Sequence, residues 1–247
     1  MSEIVKNEAQ LEREQQRSES EARDIIHDLN RLYTFPEERK TRWVWELLQN
    51  AKDVADTGGV EIKFKLETDR LIFSHNGLPF KTKHLLAILY KTSTKSLDGE
   101  GGTTGKYGTG FVTTHILNKK LSISGVHEND LGKRNFIIEI DRSAASLDES
   151  IAIEAMQRSL SGTFSKIDQI TKAPAAEIAA SWHSFTYLLN PDSYVYAERG
   201  LQELERNLAF TLLINSNLTN TNDANPFREI KSVTIESVSQ NNKYVAN

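Results

Sequence analysis

The stretch WELLQNAKDVA, residues 45–55, spaces Glu46, Asn50 and Asp53 at i, i+4 and i+7. On a helix these three share one face. Val44, Leu47, Leu48, Ala51 and Ala55 fill the other side, so the segment reads as an amphipathic helix. A polar face turned to water accounts for the pattern. So does a metal-assisted hydrolysis site. Asn offers a neutral oxygen to a hard cation, and a Glu one turn away suits a general base that holds a water.

A second stretch bears on the choice. GEGGTTGKYGTG, residues 99–110, holds six of the chain's thirteen glycines. Glycine loses more backbone entropy on folding than any other residue. So dense a run is either a linker or a loop whose N–H groups approach a ligand closely. The GxxxxGK[ST] phosphate loop does not fit, because Glu100 stands at the required glycine and Tyr107 follows Lys106. What remains is GKYGTGF, a glycine loop running into an apparent helix at Phe111. Amides at a helix start bind phosphate through geometry and dipole.

The chain has 247 residues, no cysteine and a formal charge of −4. A single domain of this size buries roughly 70–75% of its unfolded surface and needs no staples. Without cysteine there is no disulfide framework and no thiolate metal site. No apolar run is long enough to span a membrane, and the N-terminus is too polar and acidic for a signal or transit peptide. A cytoplasmic protein is expected. His27, His84, His115, His127 and His183 form no ligand spacing, which argues against zinc.

Residues 2–32 read as a helical arm, polar first and then docking Ile25, Ile26, Leu29 and Leu32. It is either a solvated arm or a dimerisation arm. A helix is expected over 36–56, opened by Pro36 and closed by Gly58 and Gly59. Strands are expected at 60–67, 71–73, 121–126, 135–141, 185–189 and 233–238. Helices are expected at 82–89, 111–117, 143–160 and 196–214. The fold class is therefore α+β: a two-layer sandwich with a mixed, mostly antiparallel sheet covered by helices on one face.

Taken together, the motifs resemble a known family. ELLQNAKD resembles the N-box of the gyrase, Hsp90, histidine kinase and MutL (GHKL) superfamily of ATPases. GKYGTGF resembles the glycine box of its Hsp90-like branch. KTSTKS, residues 91–96, resembles the Ser/Thr-Lys stretch of that branch's ATP lid. The order is also that of the family, and the resemblance is strongest to Hsp90-like and sacsin-like N-terminal domains. It covers residues 40–117 and implies a Bergerat-type fold, with an arm at 1–34 and an ATP-binding domain at 35–247 that opens a longer protein.

The resemblance also implies roles. Glu46 activates the attacking water. Asn50 binds Mg²⁺, and through it the phosphates of ATP. Asp53 lines the pocket at the adenine end. Lys91 and Lys95 belong to a lid. Gly105, Lys106, Tyr107, Gly108, Thr109 and Gly110 form the phosphate cradle, with Phe111 at its end. Slow hydrolysis, lid closure and dimerisation follow, with a second domain or partner supplying a cation to the terminal phosphate. The client is a protein or DNA. A non-hydrolysing nucleotide sensor is the alternative, and a histidine kinase is a weaker one.

One motif departs from the family. HNGLPF, residues 75–80, has His75 where an Asp that accepts from adenine is expected. Gly77 keeps its place, Pro79 replaces a glycine, and Phe80 is expected to pack on the base. A neutral His75 nitrogen can accept one hydrogen bond and a protonated one cannot. A turn histidine with no ligand role is the other reading. The family's last motif, a strand Thr at the base, is expected at Ser184 or Thr186, ahead of Ser161-Gly162-Thr163.

Overall fold

The computed structural model describes residues 8–90, 110–178, 182–217, 229–237 and 241–245. Among them are five α-helices and seven strands. In chain order these are α1 (Glu8–Tyr33), α2 (Trp43–Asp53), β1 (Val60–Leu66), β2 (Arg70–His75), α3 (Thr82–Tyr90), β3 (Lys120–Asn129), β4 (Gly132–Asp141), α4 (Glu149–Lys172), β5 (His183–Leu188), α5 (Pro191–Asn217), β6 (Ile230–Glu236) and β7 (Asn241–Val245). Short 3₁₀ turns cover Glu37–Arg39, Phe111–Ile116 and Ser143–Ser146.

The strands form one sheet in the order β4-β3-β5-β2-β1-β6-β7. Only the β1–β6 pair is parallel; β1–β2, β2–β5, β3–β4, β3–β5 and β6–β7 are antiparallel. VEIKFKL alternates as the sequence predicts. Val60, Ile62, Phe64 and Leu66 are buried, and Lys63 and Lys65 are exposed. The register carries this parity across the sheet. Ile138, Ile123, Phe185, Phe73, Phe64 and Ile235 stand opposite one another in a buried row. Phe64 and Phe73 have ring centroids 5.0 Å apart, and Phe73 and Phe185 5.5 Å. Such cross-strand aromatic pairs are the unit of sheet stabilisation. The parallel row one residue along, Ser124, Ser184, Ser74, Lys63 and Thr234, faces away and is polar. The sheet is thus α+β in the expected sense, with helices on one face.

α2 lies on the apolar face. Trp43, Val44, Leu47, Leu48 and Ala51 are buried, and the Trp43 ring meets Phe64 edge-on at 6.3 Å. α5 fastens its start. Trp43 Nε1–H donates to Tyr196 O at 3.2 Å. The Glu203 carboxylate accepts from the Thr41 hydroxyl at 2.5 Å and from Trp45 Nε1–H at 3.1 Å. The helix is shorter than the expected 36–56 because residues 37–42 offer no apolar face; the chain makes a 3₁₀ turn there and becomes α-helical only where Trp43 meets the sheet. The helix expected at 111–117 is instead a 3₁₀ turn over Phe111–Ile116, and that expected at 143–160 is a 3₁₀ turn at Ser143–Ser146 followed by α4. The second half of α1 is part of the core through Ala22, Ile25, Leu29 and Leu32, while residues 8–17 are exposed. β7 was not expected from sequence. No helix among the described residues is long and apolar enough to cross a membrane.

Gly200 on α5 makes room for Trp43. A Cβ there would stand 2.5 Å from Trp43 Cζ2. Gly200→Ala raises helix propensity by about 1 kcal/mol, yet a clash with a fully buried ring costs about 1–3 kcal/mol. The variant is expected to be less stable than wild type in urea titration. A gain in stability would show that the α2–α5 seam is loose.

Candidate functional site

Docking α2 by its apolar face turns Glu46, Asn50 and Asp53 away from the sheet. Asn50 and Asp53 are exposed. Asp53 Oδ1 accepts from Gln49 Nε2 at 2.7 Å. The Glu46 side chain keeps only 19% of its surface, and its Oε1 accepts from Arg42 Nε at 3.0 Å, one turn earlier. Such an i, i+4 pair is worth a few tenths of a kcal/mol in water. Its consequence here is orientation, since Arg42 fixes where the carboxylate points.

The end of the glycine stretch meets this carboxylate. A Cβ at Gly110 would lie 1.9 Å from Glu46 Oε2 and 2.6 Å from its carboxyl carbon. A side chain at this position would require the Glu46 carboxylate to move. The 3₁₀ turn that follows is closed by Thr113, whose amide and hydroxyl both donate to Gly110 O, at 3.0 and 2.7 Å. Phe111 packs on His115 and Phe185. Two sequence motifs distant along the chain are therefore in contact through a glycine and a carboxylate. Lys91, Lys95, Gly105, Lys106, Tyr107, Gly108 and Thr109 lie outside the described residues.

The HNGLPF loop meets the other end of α2. Leu78 N–H donates to Val54 O at 2.7 Å. A Cβ at Gly77 would come within 2.7 Å of that same carbonyl. Two histidines hold the Gly77 residue. Its N–H donates to His75 Nδ1 at 3.3 Å, and its carbonyl accepts from His183 Nε2 at 3.0 Å. His183 Nδ1 in turn accepts from Val126 N–H at 3.2 Å, which assigns the ring proton to Nε2. Gly125 permits this, since a Cβ there would stand 2.4 Å from His183 Nδ1.

Both rings are held neutral. Burial, then the neighbouring His183 ring, push His75 down to about 3. Burial also lowers His183. His75 is only 3% exposed, and Gly77 occupies its accepting nitrogen. His75 thus shapes the loop. Phe80 is buried too, edge-on to Phe136 at 5.5 Å and to His183 at 5.1 Å, so in this arrangement its ring packs in the core.

Ser184 and Thr186 are not brought to the site. On β5 the buried residues are His183, Phe185 and Tyr187, and these face the helices. Alternation sends Ser184 and Thr186 to the opposite, open face, where Ser184 Oγ lies 2.9 Å from Ser74 Oγ. Thr163 sits within α4 and donates to Glu139 O at 3.1 Å. The residue of this strand that touches the HNGLPF loop is His183. Strand parity held that signal, because His183 shares a face with Phe185 and Tyr187.

Two further features carry no sequence motif. Arg142, 2% exposed, donates to the Ile88 and Leu89 carbonyls in the last turn of α3 at 3.1 and 2.9 Å, and to His115 Nε2 at 3.2 Å. It ties the end of α3 to the turn that follows Gly110, and α3's dipole favours a cation there. Burial lowers Arg142 to about 10. Burial, then the Arg142 charge, push His115 down to about 3. Beside Glu46, a cleft of about 110 Å³ is lined by Arg31, Arg39, Arg42, Phe35, Gly110 and Thr113, among others.

No group of three or more His, Cys, Asp or Glu among the described residues makes a metal cluster. Mg²⁺ held mainly by phosphates and water needs no such cluster, and one exposed amide oxygen such as that of Asn50 suits it. No protein-family model and no curated protein matches the chain.

The neutral histidines set a pH dependence. In the unfolded chain they titrate near 6.5, while folded His75 and His115 titrate near 3. As pH falls below 6.5 the unfolded state takes up protons first. Stability is therefore complete above about 6.5 and is lost on the way to 3, by up to about 1.4 kcal/mol per pH unit for each such histidine. Urea midpoints should fall between pH 7.5 and pH 5, and His115→Gln should flatten the slope. Equal midpoints at both pH values would mean that these rings carry charge in the folded state.

Proposed function

We propose that this chain binds Mg-ATP along the polar face of α2 and hydrolyses it slowly, as the motor of a conformational switch. The observation that carries the reading is the contact of Gly110 with the Glu46 carboxylate. It sets the last residue of the candidate phosphate loop against a candidate base, with no side chain between them. The HNGLPF loop, stitched to Val54, supports the reading from the other end of the helix.

In this reading Asn50 holds Mg²⁺ with its amide oxygen. The cation, when bound, neutralises phosphate charge. Glu46 holds the attacking water and accepts its proton, with Arg42 fixing the carboxylate's direction. The amides at Gly110 and in the stretch before it bind phosphate oxygens. Asp53 lines the base end. Closure of a lid that includes Lys91 and Lys95, dimerisation, a cation supplied from a further domain, a protein or DNA client and a cytoplasmic setting belong to the same proposal. A nucleotide sensor that does not hydrolyse is the second reading, and two observations favour it. Glu46 is engaged by Arg42, and His75 is turned from solvent.

Calorimetric titration with Mg-ATP, Mg-ADP and Mg-GTP tests both. Asn50→Ala is expected to weaken nucleotide binding at least about tenfold, the loss of one charge-assisted contact. Glu46→Ala should bind nearly as wild type and lose about 10²–10⁴ in turnover. Turnover unchanged by Glu46→Ala removes the base. Tight binding with no turnover in wild type leaves the sensor. Absence of all nucleotide binding ends the proposal.

A further inference from the structure

The cleft beside Glu46 lies where α1, the turn at 37–42, the start of α2 and residues 110–113 meet. Its volume, about 110 Å³, is several-fold more than the roughly 10–15 Å³ that one water needs. Three arginines, Arg31, Arg39 and Arg42, line it together with Asp28 and Glu46. Arg42 is engaged by Glu46. The Arg31 guanidinium carbon lies over the Phe35 ring, 5.9 Å from its centroid. Among the described residues neither Arg31 nor Arg39 has a carboxylate within 4.0 Å. Phe35 and Leu32 form an apolar wall, and Gly110 contributes backbone alone.

Unpaired guanidinium forks around a small cleft match the edges of a tetrahedral oxyanion, which accepts two parallel N–H bonds from each fork. Water satisfies such forks less well, because it offers no charge. A planar carboxylate uses one fork and leaves the other without a partner.

We propose that this cleft is a binding site for a phosphate dianion, held by Arg31 and Arg39 from α1 and the following turn, with Arg42 shared between the anion and Glu46. The ligand is either the terminal phosphate of a nucleotide or free orthophosphate. Phosphate drawing on Arg42 loosens its hold on Glu46, so occupancy of the cleft and the orientation of the candidate base are coupled. The link to hydrolysis rests on the function proposed above; the binding of phosphate does not.

The test is titration of sodium phosphate into the chain at constant ionic strength, followed by calorimetry, for wild type, Arg31→Gln, Arg39→Gln and, as a control outside the cleft, Arg206→Gln. Arg31 and Arg39 are exposed, so their removal spares the core, and unchanged melting temperatures check this. Saturable binding is expected, weakened about tenfold in each cleft Arg→Gln variant and unchanged in Arg206→Gln. Arg39→Lys, which keeps the charge and loses the fork, is expected to fall between. Competition by ATP but not ADP assigns the cleft to the terminal phosphate. Competition by neither assigns it to free phosphate. No saturable binding, or binding indifferent to Arg31 and Arg39, overturns the proposal. So does equal competition by ATP and ADP with the arginines indifferent, which places phosphate in the nucleotide's diphosphate position. Phosphate binding that persists while no nucleotide binds removes the ATPase reading and keeps this one.

Discussion

The seat of α2 on the sheet is the constraint from which the candidate site follows. Trp43, Val44, Leu47, Leu48 and Ala51 have one apolar surface to bury against, the face carrying Phe64 and its neighbours. Burying five such residues is worth several kcal/mol, at about 25 cal/mol for each Å². No arrangement that turned Glu46 or Asn50 inward would recover it. The polar face is therefore presented by default, and Tyr196 and Glu203 fix its direction. Everything proposed for Glu46, Asn50 and Asp53 depends on that docking.

Four of the described glycines act through the absence of a side chain, each at a different seam. Gly200 admits the Trp43 indole, Gly125 the His183 ring, Gly77 the end of α2, and Gly110 the Glu46 carboxylate. Three of these seams converge on the candidate site. At Gly77 the close approach is to backbone, the Val54 carbonyl; at Gly125 and Gly110 it is to the His183 ring and the Glu46 carboxylate. Neutral histidines add directional bonds to the same seams. His75 accepts from Gly77 N–H, and His183 from Val126 N–H, only while uncharged, so burial and hydrogen bonding enforce each other.

Charge is distributed with a similar economy. Arg142 is buried without a described carboxylate partner and is answered by α3 carbonyls and a neutral imidazole. Arg134 is answered in the same way, by carbonyls at the end of α4. Arg31, Arg39 and Arg42 stand outside, around a cleft that reaches Glu46. The buried guanidinium groups tie elements together. The exposed ones leave binding capacity.

The sequence determined the pieces whose signal is periodic. Alternation in VEIKFKL and the i, i+4, i+7 face of WELLQNAKDVA are local properties of strand and helix, and both stand in the fold. The polar residues of NNKYV carry too little alternation to announce β7, which exists because it pairs with β6. Helix type at 37–39, 111–116 and 143–146 depended on where an apolar surface waited, which no local pattern records. Strand parity puts Ser184 and Thr186 on the face opposite α2, a property legible once Phe185 and Tyr187 are taken as the inward face. His183 on Gly77, Gly110 on Glu46 and the meeting of Arg31, Arg39 and Arg42 were decided by tertiary structure alone. Each joins residues from separate elements, and sequence spacing holds no information about a distance that exists only after the sheet and its helices have packed.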